Sequence, residues 1–274
     1  MKRLALIAGL EFHLAALNPW IVAFAGALAL LSLALAYSGL VIAGYGHVVG
    51  FARTTASLLN LILLLVPLAS LVVGVGVFSQ ERGTQDILLS QPVRRSEIYF
   101  GKYLGLLGAL LAALLCGLGA AGIVIAVRAG SAEWRQYLIL VGLSAYLAMV
   151  FVGIAAAIAV LARERSHALG AAILLWLGML LVYDLISLGL TVLFAGDWIR
   201  PFLLSLLLAN PVDVVRMLVL LALGARASLG PGGAVLGEMI EQGGGTVIIG
   251  VALLLWLLAP LWIGWRSFQN IDAA

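Results

Sequence analysis

The sequence predicts an all-α membrane protein with six transmembrane helices. Of its 274 residues, 64% are apolar and only 10% are charged, and the mean hydropathy is +1.20. Such a composition is typical of chains that cross a lipid bilayer. The apolar stretches are continuous and show no two-residue alternation, which favours helices over membrane-spanning strands. A helical bundle is the expected architecture, because each helix satisfies its own backbone hydrogen bonds.

Six apolar segments each approach the ~20 residues that a helix needs to cross a bilayer. They lie near residues 20–37, 58–78, 103–127, 138–161, 168–193 and 246–265. Aromatic residues that are typical of membrane interfaces stand close to the segment ends: Trp20, Tyr37, Tyr103, Trp262 and Trp265. The whole chain, 1–274, is predicted to form one membrane domain.

Residues 1–19 predict a helix that lies along the cytoplasmic membrane surface before the first span. Its apolar residues recur every three or four positions and so share one helical face: Leu4, Ile7, Leu10, Leu14 and Leu17. Asn18 and Pro19 end the segment. Lysine and arginine are denser in the segments on this side of the membrane, which predicts that both chain termini are cytoplasmic.

Residues 194–245 predict a helical segment on the opposite, periplasmic side. Asn210 can cap a helix that begins at Pro211, carries Asp213 in its first turn and ends before Gly224. A full crossing by 201–223 would place Asn210, Asp213 and Arg216 in hydrocarbon. We therefore expect an interfacial or partly embedded helix here.

The sequence offers little for an enzyme, a metal site or a nucleic-acid-binding surface. It has no G-x-x-x-x-G-K-[ST] phosphate loop, no histidines spaced as metal ligands and no basic runs with interleaved aromatics. Asp184 is the clearest ionisable residue within a predicted span. Two interpretations remain open: a carboxylate at the outer interface or paired with an outer arginine, or a transport or gating residue.

A dense polar stretch, residues 79–102, separates the second and third spans on the predicted cytoplasmic side. Ile87, Leu88 and Leu89 can form the apolar face of a short helix that Pro92 ends, and Ser96 with Glu97 can begin the next helix. Such a rigid connection would pass the displacement of a soluble partner into the bundle. The alternative is an ordinary loop whose charges hold the topology.

The pattern E-R-G-T-x-D-x-L-L-S-x-P-x-x-R-x-E-I-x-x-G-K, from Glu81 to Lys102, resembles the signature of ABC type-2 permeases. The stretch NPVDVVRM, from Asn210 to Met217, adds to the resemblance. The resemblance to ABC type-2 permeases implies a non-catalytic subunit of the bacterial inner membrane that works as a homodimer. It also implies a separate cytoplasmic ATPase that uses ATP and Mg, with no cofactor bound by this chain. The implied ATPase-coupling residues are Glu81, Arg82, Gly83, Thr84, Asp86, Ile87, Leu88, Leu89, Pro92 and Arg95.

The stretches GVGVFSQERGTQDILLSQPVRRSEIYFGKYLG and FARTTASLLNLILLLVPLASL are similar, more narrowly, to permeases of nitrous-oxide-reductase maturation complexes. That similarity implies a role in assembling the copper centre of the reductase. It also implies a periplasmic accessory protein that contacts the region of Asn210, Asp213 and Arg216. Two alternatives remain: a generic ABC exporter permease for a lipid, drug or small molecule, and an ATP-independent secondary transporter that uses Asp184. The transported species is not indicated.

Overall fold

The computed structural model describes residues 2–42, 47–79, 94–129, 134–162, 164–193, 199–225, 229, 231–241 and 244–270. These residues are almost all helical and include no strand, so the predicted all-α class is confirmed. The helices are α1 (Lys2–Ala16), α2 (Pro19–Ile42), α3 (His47–Phe78), α4 (Arg95–Ala129), α5 (Trp134–Ala162), α6 (Arg165–Leu177), α7 (Tyr183–Leu193), α8 (Ile199–Leu208), α9 (Pro211–Ala222), α10 (Pro231–Glu241) and α11 (Gly245–Gln269). A five-residue π-helical turn, Gly178–Val182, joins α6 to α7.

Six stretches in the described part of the chain are long and apolar enough to cross a membrane, as predicted. Spans 1 to 6 are Pro19–Ser38, Thr54–Phe78, Arg95–Ile125, Trp134–Ala162, Arg165–Leu190 and Gly245–Gln269. The largest deviation of a span boundary is in span 3, which begins at Arg95 and not near residue 103. The helix start itself is confirmed, since Ser96 and Glu97 were predicted to begin this helix. The continuous apolar stretch begins only after Lys102, the last charged residue, whereas the helix also includes the polar turns before it. The Glu97 carboxylate accepts a hydrogen bond from the Arg94 backbone N–H at 3.2 Å and so caps this early start.

Helix α5 lies at the centre of the bundle and packs against α3, α4, α6, α9 and α11. It is the most buried of the six spans. Tyrosine hydroxyl groups join the helices by donating to backbone carbonyl groups of their neighbours: Tyr99 to Leu261 at 3.3 Å, Tyr103 to Met149 at 3.0 Å and Tyr146 to Leu253 at 2.8 Å. Bonds of this kind stabilise helix association where burial of apolar surface gives little driving force.

Helix α1 packs along the first turns of α4, where glycines let the two backbones approach. A Cβ atom at Gly101 would lie 2.6 Å from Ile7, and one at Gly105 would lie 2.6 Å from the Ala8 carbonyl oxygen. These two glycines therefore permit the close packing of the two helices. Leu10 remains 59% exposed, and Leu14 and Leu17 are exposed beside it. The membrane-surface position of α1 stays a prediction, and this free apolar face is compatible with it.

The N-terminal helix, the end of α3, the start of α4 and the end of α11 meet at one end of the bundle, which we call the terminal end. Arg95 Nη1 donates to the carbonyl oxygen of Gln269 at 2.6 Å and thereby ties α4 to α11. Helix α6 also starts here, since Arg165 approaches Gly76 near the end of α3. At ~1.5 Å per residue, Asp184 lies roughly 28 Å along span 5 from Arg165, towards the opposite or far end.

Candidate functional site: a polar network beside a broken helix pair

Helices α8 and α9 form a broken pair, because the chain bends by 104° between them. Asn210 stands at the break in an extended conformation, with φ −128° and ψ 110°, and its side chain accepts a hydrogen bond from the Val212 backbone N–H. Pro211 is the first residue of α9 and needs no such partner. The helix ends at Ala222, shortly before Gly224, whose φ of +68° suits glycine. The predicted start, cap and end of α9 are confirmed.

Two neighbouring spans supply hydrogen-bond partners to the residues at the break. Trp256 of span 6 donates through Nε1 to the carbonyl oxygen of Leu208, the last residue of α8, at 2.9 Å. The Asn210 side chain, which is fully buried, donates through Nδ2 to the carbonyl oxygen of Met179 at 2.7 Å. Irregular backbone at membrane depth is tolerated where protein encloses it in this way. The interfacial or partly embedded position of this segment stays a prediction.

The π-helical turn in span 5 faces this break. A π turn displaces the regular hydrogen bonds of a helix and occurs frequently at functional sites. Met179, whose carbonyl oxygen accepts from Asn210, lies within that turn. The irregular part of span 5 and the irregular part of the broken pair therefore stabilise each other. The run GMLLV gives no sequence signal for the π turn, so this contact could not be foreseen.

Four polar side chains form one network at the far end. Arg216 Nη1 lies 3.2 Å and 3.1 Å from the two carboxylate oxygens of Asp184, and 3.2 Å from Asp213 Oδ1. Asn210 Nδ2 donates to Asp213 Oδ2 at 3.0 Å. The side chains of Arg216, Asp184 and Asp213 are 31%, 45% and 13% exposed. One cation thus holds two partly desolvated carboxylates and joins span 5 to α9.

The sequence identified these residues as two separate sets, and the structure brings them together. The interpretation of Asp184 as a carboxylate paired with an arginine is confirmed, and its partner is Arg216. A gating role for Asp184, and contact of Asn210, Asp213 and Arg216 with a periplasmic partner, stay predictions. The buried Tyr183 hydroxyl group and Arg216 Nε make no hydrogen bond within the described residues. The network therefore retains two donors that could serve a second arrangement.

The coupling residues inferred from the sequence lie mostly outside the described residues: Glu81, Arg82, Gly83, Thr84, Asp86, Ile87, Leu88, Leu89 and Pro92. Arg95 is described and begins α4, where its guanidinium group bonds the backbone of Gln269. The coupling roles of all ten residues stay predictions. Among the described residues, no three His, Cys, Asp or Glu side chains group as a metal site.

Comparison with known proteins decides the family. Residues 5–273 match the family described as ABC-2 family transporter protein. The chain belongs to the ABC-2 transporter family. It is therefore a permease subunit of an ABC transporter. Membrane subunits of this kind are generally not catalytic. The six apolar helices and the polar stretch between spans 2 and 3 are parts of an ABC-2 permease.

Two relatives carry the same name, "Probable ABC transporter permease protein NosY". The one from Pseudomonas aeruginosa is 32% identical over 253 residues, which cover 90% of this chain and 88% of the relative. The one from Stutzerimonas stutzeri is 31% identical over 255 residues, with the same coverage. The ABC-2 permease described here is thus similar to both along nearly all of its length.

Proposed function

We propose that this permease is driven by a separate cytoplasmic ATPase through residues 79–102, which we call the coupling segment. The observation that carries the proposal is the ABC-2 signature at 81–102, placed in a chain whose 274 residues contain no phosphate loop. The segment follows the end of α3 and includes the first turns of α4, which Arg95 ties to α11. A displacement of the segment would therefore act on three spans at once. ATP and Mg belong to the partner ATPase.

We further propose a homodimer in the bacterial inner membrane, with both termini in the cytoplasm and the far end towards the periplasm. Span 5 is the least buried of the six spans. Its exposed residues include Leu174, Leu185 and Leu188, which are 71%, 68% and 61% exposed. Such a face can contact lipid or a second copy of the chain. A periplasmic accessory protein would then meet the region of Asn210, Asp213 and Arg216.

The specific task that we propose is assembly of the copper centre of nitrous-oxide reductase. The two relatives named NosY and the two quoted sequence stretches support it. The rival of the same fold is a generic exporter of a lipid, drug or small molecule. The rival of another class is an ATP-independent transporter that uses Asp184. The ion pair between Asp184 and Arg216 argues against the ATP-independent transporter, since the Asp184 carboxylate already has a fixed counter-ion.

Substitutions in the coupling segment test the ATPase coupling. Glu81→Gln and Pro92→Ala should leave membrane insertion and co-purification with the ATPase intact, because neither residue lies in a span. We expect cellular activity to fall about tenfold or more in Glu81→Gln, as for the loss of one charge-assisted hydrogen bond, while ATP hydrolysis continues. We expect a fall in Pro92→Ala as well, because the predicted end of the short helix is lost. Gln91→Ala, beside Pro92 but outside the signature, is the matched control and should behave as wild type. Full activity of both variants would remove the coupling assignment.

Deletion of the protein tests the specific task. In the deletion strain, nitrous-oxide reductase should still be exported but should lack its catalytic copper cluster. Re-expression of the permease should restore the cluster. Copper content and nitrous-oxide reduction by the purified reductase are the measurements. A reductase with normal copper content from the deletion strain would favour the generic exporter. Purification without a stoichiometric ATPase would favour the ATP-independent transporter.

A further inference from the structure

Two opposite charges are buried between α1 and α4. Lys102 is 3% exposed and Glu11 is 8% exposed. Burial raises the pKa of the Glu11 carboxyl group, and the positive charge of Lys102 opposes that rise. Buried charges are costly unless an opposite charge or hydrogen bonds compensate them. An apolar pair of similar volume would often be at least as stable, so stability alone does not account for the pair.

The position of Glu11 is fixed by the glycine contact below it. A Cβ atom at Gly105 would lie 2.6 Å from the Glu11 Cβ and 2.8 Å from the Phe12 backbone nitrogen. Glu11 therefore cannot move along α4 without lifting the whole of α1. Lys102 lies about one helical turn before Gly105 on α4.

Lys102 also contacts the end of α3. Its Nζ atom donates to the carbonyl oxygen of Val77 at 3.4 Å. Val77 lies in the last turn of α3, just before the coupling segment begins, and Lys102 is the last residue of that segment. Lys102 therefore contacts the end of α3 and also lies beside Glu11 of α1.

We propose that Glu11 and Lys102 are positioning residues that make α1 part of the coupling apparatus. Glu11 holds the N-terminal helix to Lys102, the last residue of the coupling segment, and Lys102 in turn holds the end of α3, so that the ATP-driven displacement of the segment also reaches span 1. The connection from α1 to span 1 is short, because the carbonyl oxygen of Asn18 accepts hydrogen bonds from Ile21 and Val22 in the first turn of α2. This inference rests on the proposed ATPase coupling and adds an element to it.

The test measures movement of span 1 directly. Ser38, exposed at the end of span 1, is replaced by cysteine and spin-labelled in a Cys116→Ala background. The permease is purified with its ATPase and placed in nanodiscs. Electron paramagnetic resonance then gives the distance between the two labels of the dimer with and without ATP and Mg. The unsubstituted labelled complex should show an ATP-dependent change in this distance.

Glu11→Gln and Lys102→Met should each lose most of the ATP-dependent change in label distance. ATP turnover should stay within about twofold of the unsubstituted complex, because neither residue belongs to the ATPase. Lys102→Arg should retain the distance change, since arginine keeps the charge and can donate to the Val77 carbonyl oxygen. Tyr103→Phe is the matched control: it removes the neighbouring hydrogen bond to Met149 of α5 and leaves the joint with α1 intact. It should lower thermal stability without affecting the distance change.

If a single variant fails to assemble, the double variant Glu11→Gln/Lys102→Met leaves no uncompensated charge and should assemble, yet without the distance change. A normal change in the double variant would overturn the inference, as would an equal loss in Tyr103→Phe. The inference would also be overturned if ATP did not change the distance between the span 1 labels although Pro92→Ala uncouples the complex. The proposed function would then stand. Absence of a bound ATPase, or normal coupling in Pro92→Ala, would instead remove the proposed function.

Discussion

Gly105→Leu is expected to separate α1 from the start of span 3 and to lower the free energy of unfolding by about 3 kcal/mol, the upper end of overpacking costs. The Cβ atom alone would meet the Ala8 carbonyl oxygen at 2.6 Å and the Phe12 backbone nitrogen at 2.8 Å. Backbone atoms cannot rotate away as a side chain can, so the whole of α1 must shift. Unfolding of the purified permease in mild detergent, followed by circular dichroism, measures the effect.

Gly119→Leu is the matched control on the same helix. A Cβ atom at Gly119 would meet nothing within 4 Å. Leucine favours the helix over glycine by roughly 0.5–1 kcal/mol, so this variant should be as stable as wild type or slightly more stable. Equal losses in the two variants would mean that the close contact with α1 does not matter. Gly105→Ala should fall between Gly119→Leu and Gly105→Leu.

The spans could be predicted because crossing a bilayer is a local property of ~20 consecutive residues. The capped start of α9 was predictable for the same reason, since Asn210, Pro211 and Asp213 are neighbours in the chain. The helix start that Ser96 and Glu97 predicted is confirmed to within one residue, whereas the boundary of span 3 was placed too late because it followed hydropathy and not capping. Glu97 extends the helix into a charged stretch that does not resemble a span.

The polar contacts between helices could not be predicted, because their partners are distant in the sequence. Glu11 lies within the segment that the sequence predicts as a membrane-surface helix, yet it is buried beside Lys102. Gly101 and Gly105, four residues apart in α4, do not by themselves show which helix packs against them, and the structure shows that it is α1. The 104° bend likewise depends on Trp256 and Met179, which belong to two other spans.

Arg216→Met is expected to lower the free energy of unfolding by about 2 kcal/mol, somewhat less than for a fully buried pair because the side chain is 31% exposed. The substitution leaves the carboxylates of Asp184 and Asp213 facing each other with no cation between them. Asp184→Asn should cost only about 0.5 kcal/mol, since Asp184 is 45% exposed and Arg216 retains Asp213. Denaturant titration of both variants in the same detergent gives the comparison.

The double variant Asp184→Asn/Arg216→Met distinguishes repulsion between carboxylates from lost packing of the arginine. If repulsion dominates, removing one carboxylate should restore about half of the stability lost in Arg216→Met, because coupled sites do not add. A double variant as unstable as Arg216→Met would show that the arginine acts through its aliphatic stem. The same variants test the transport interpretation of Asp184. Loss of cellular function in Asp184→Asn, with stability and ATP turnover unchanged, would show that the carboxylate does more than join span 5 to α9.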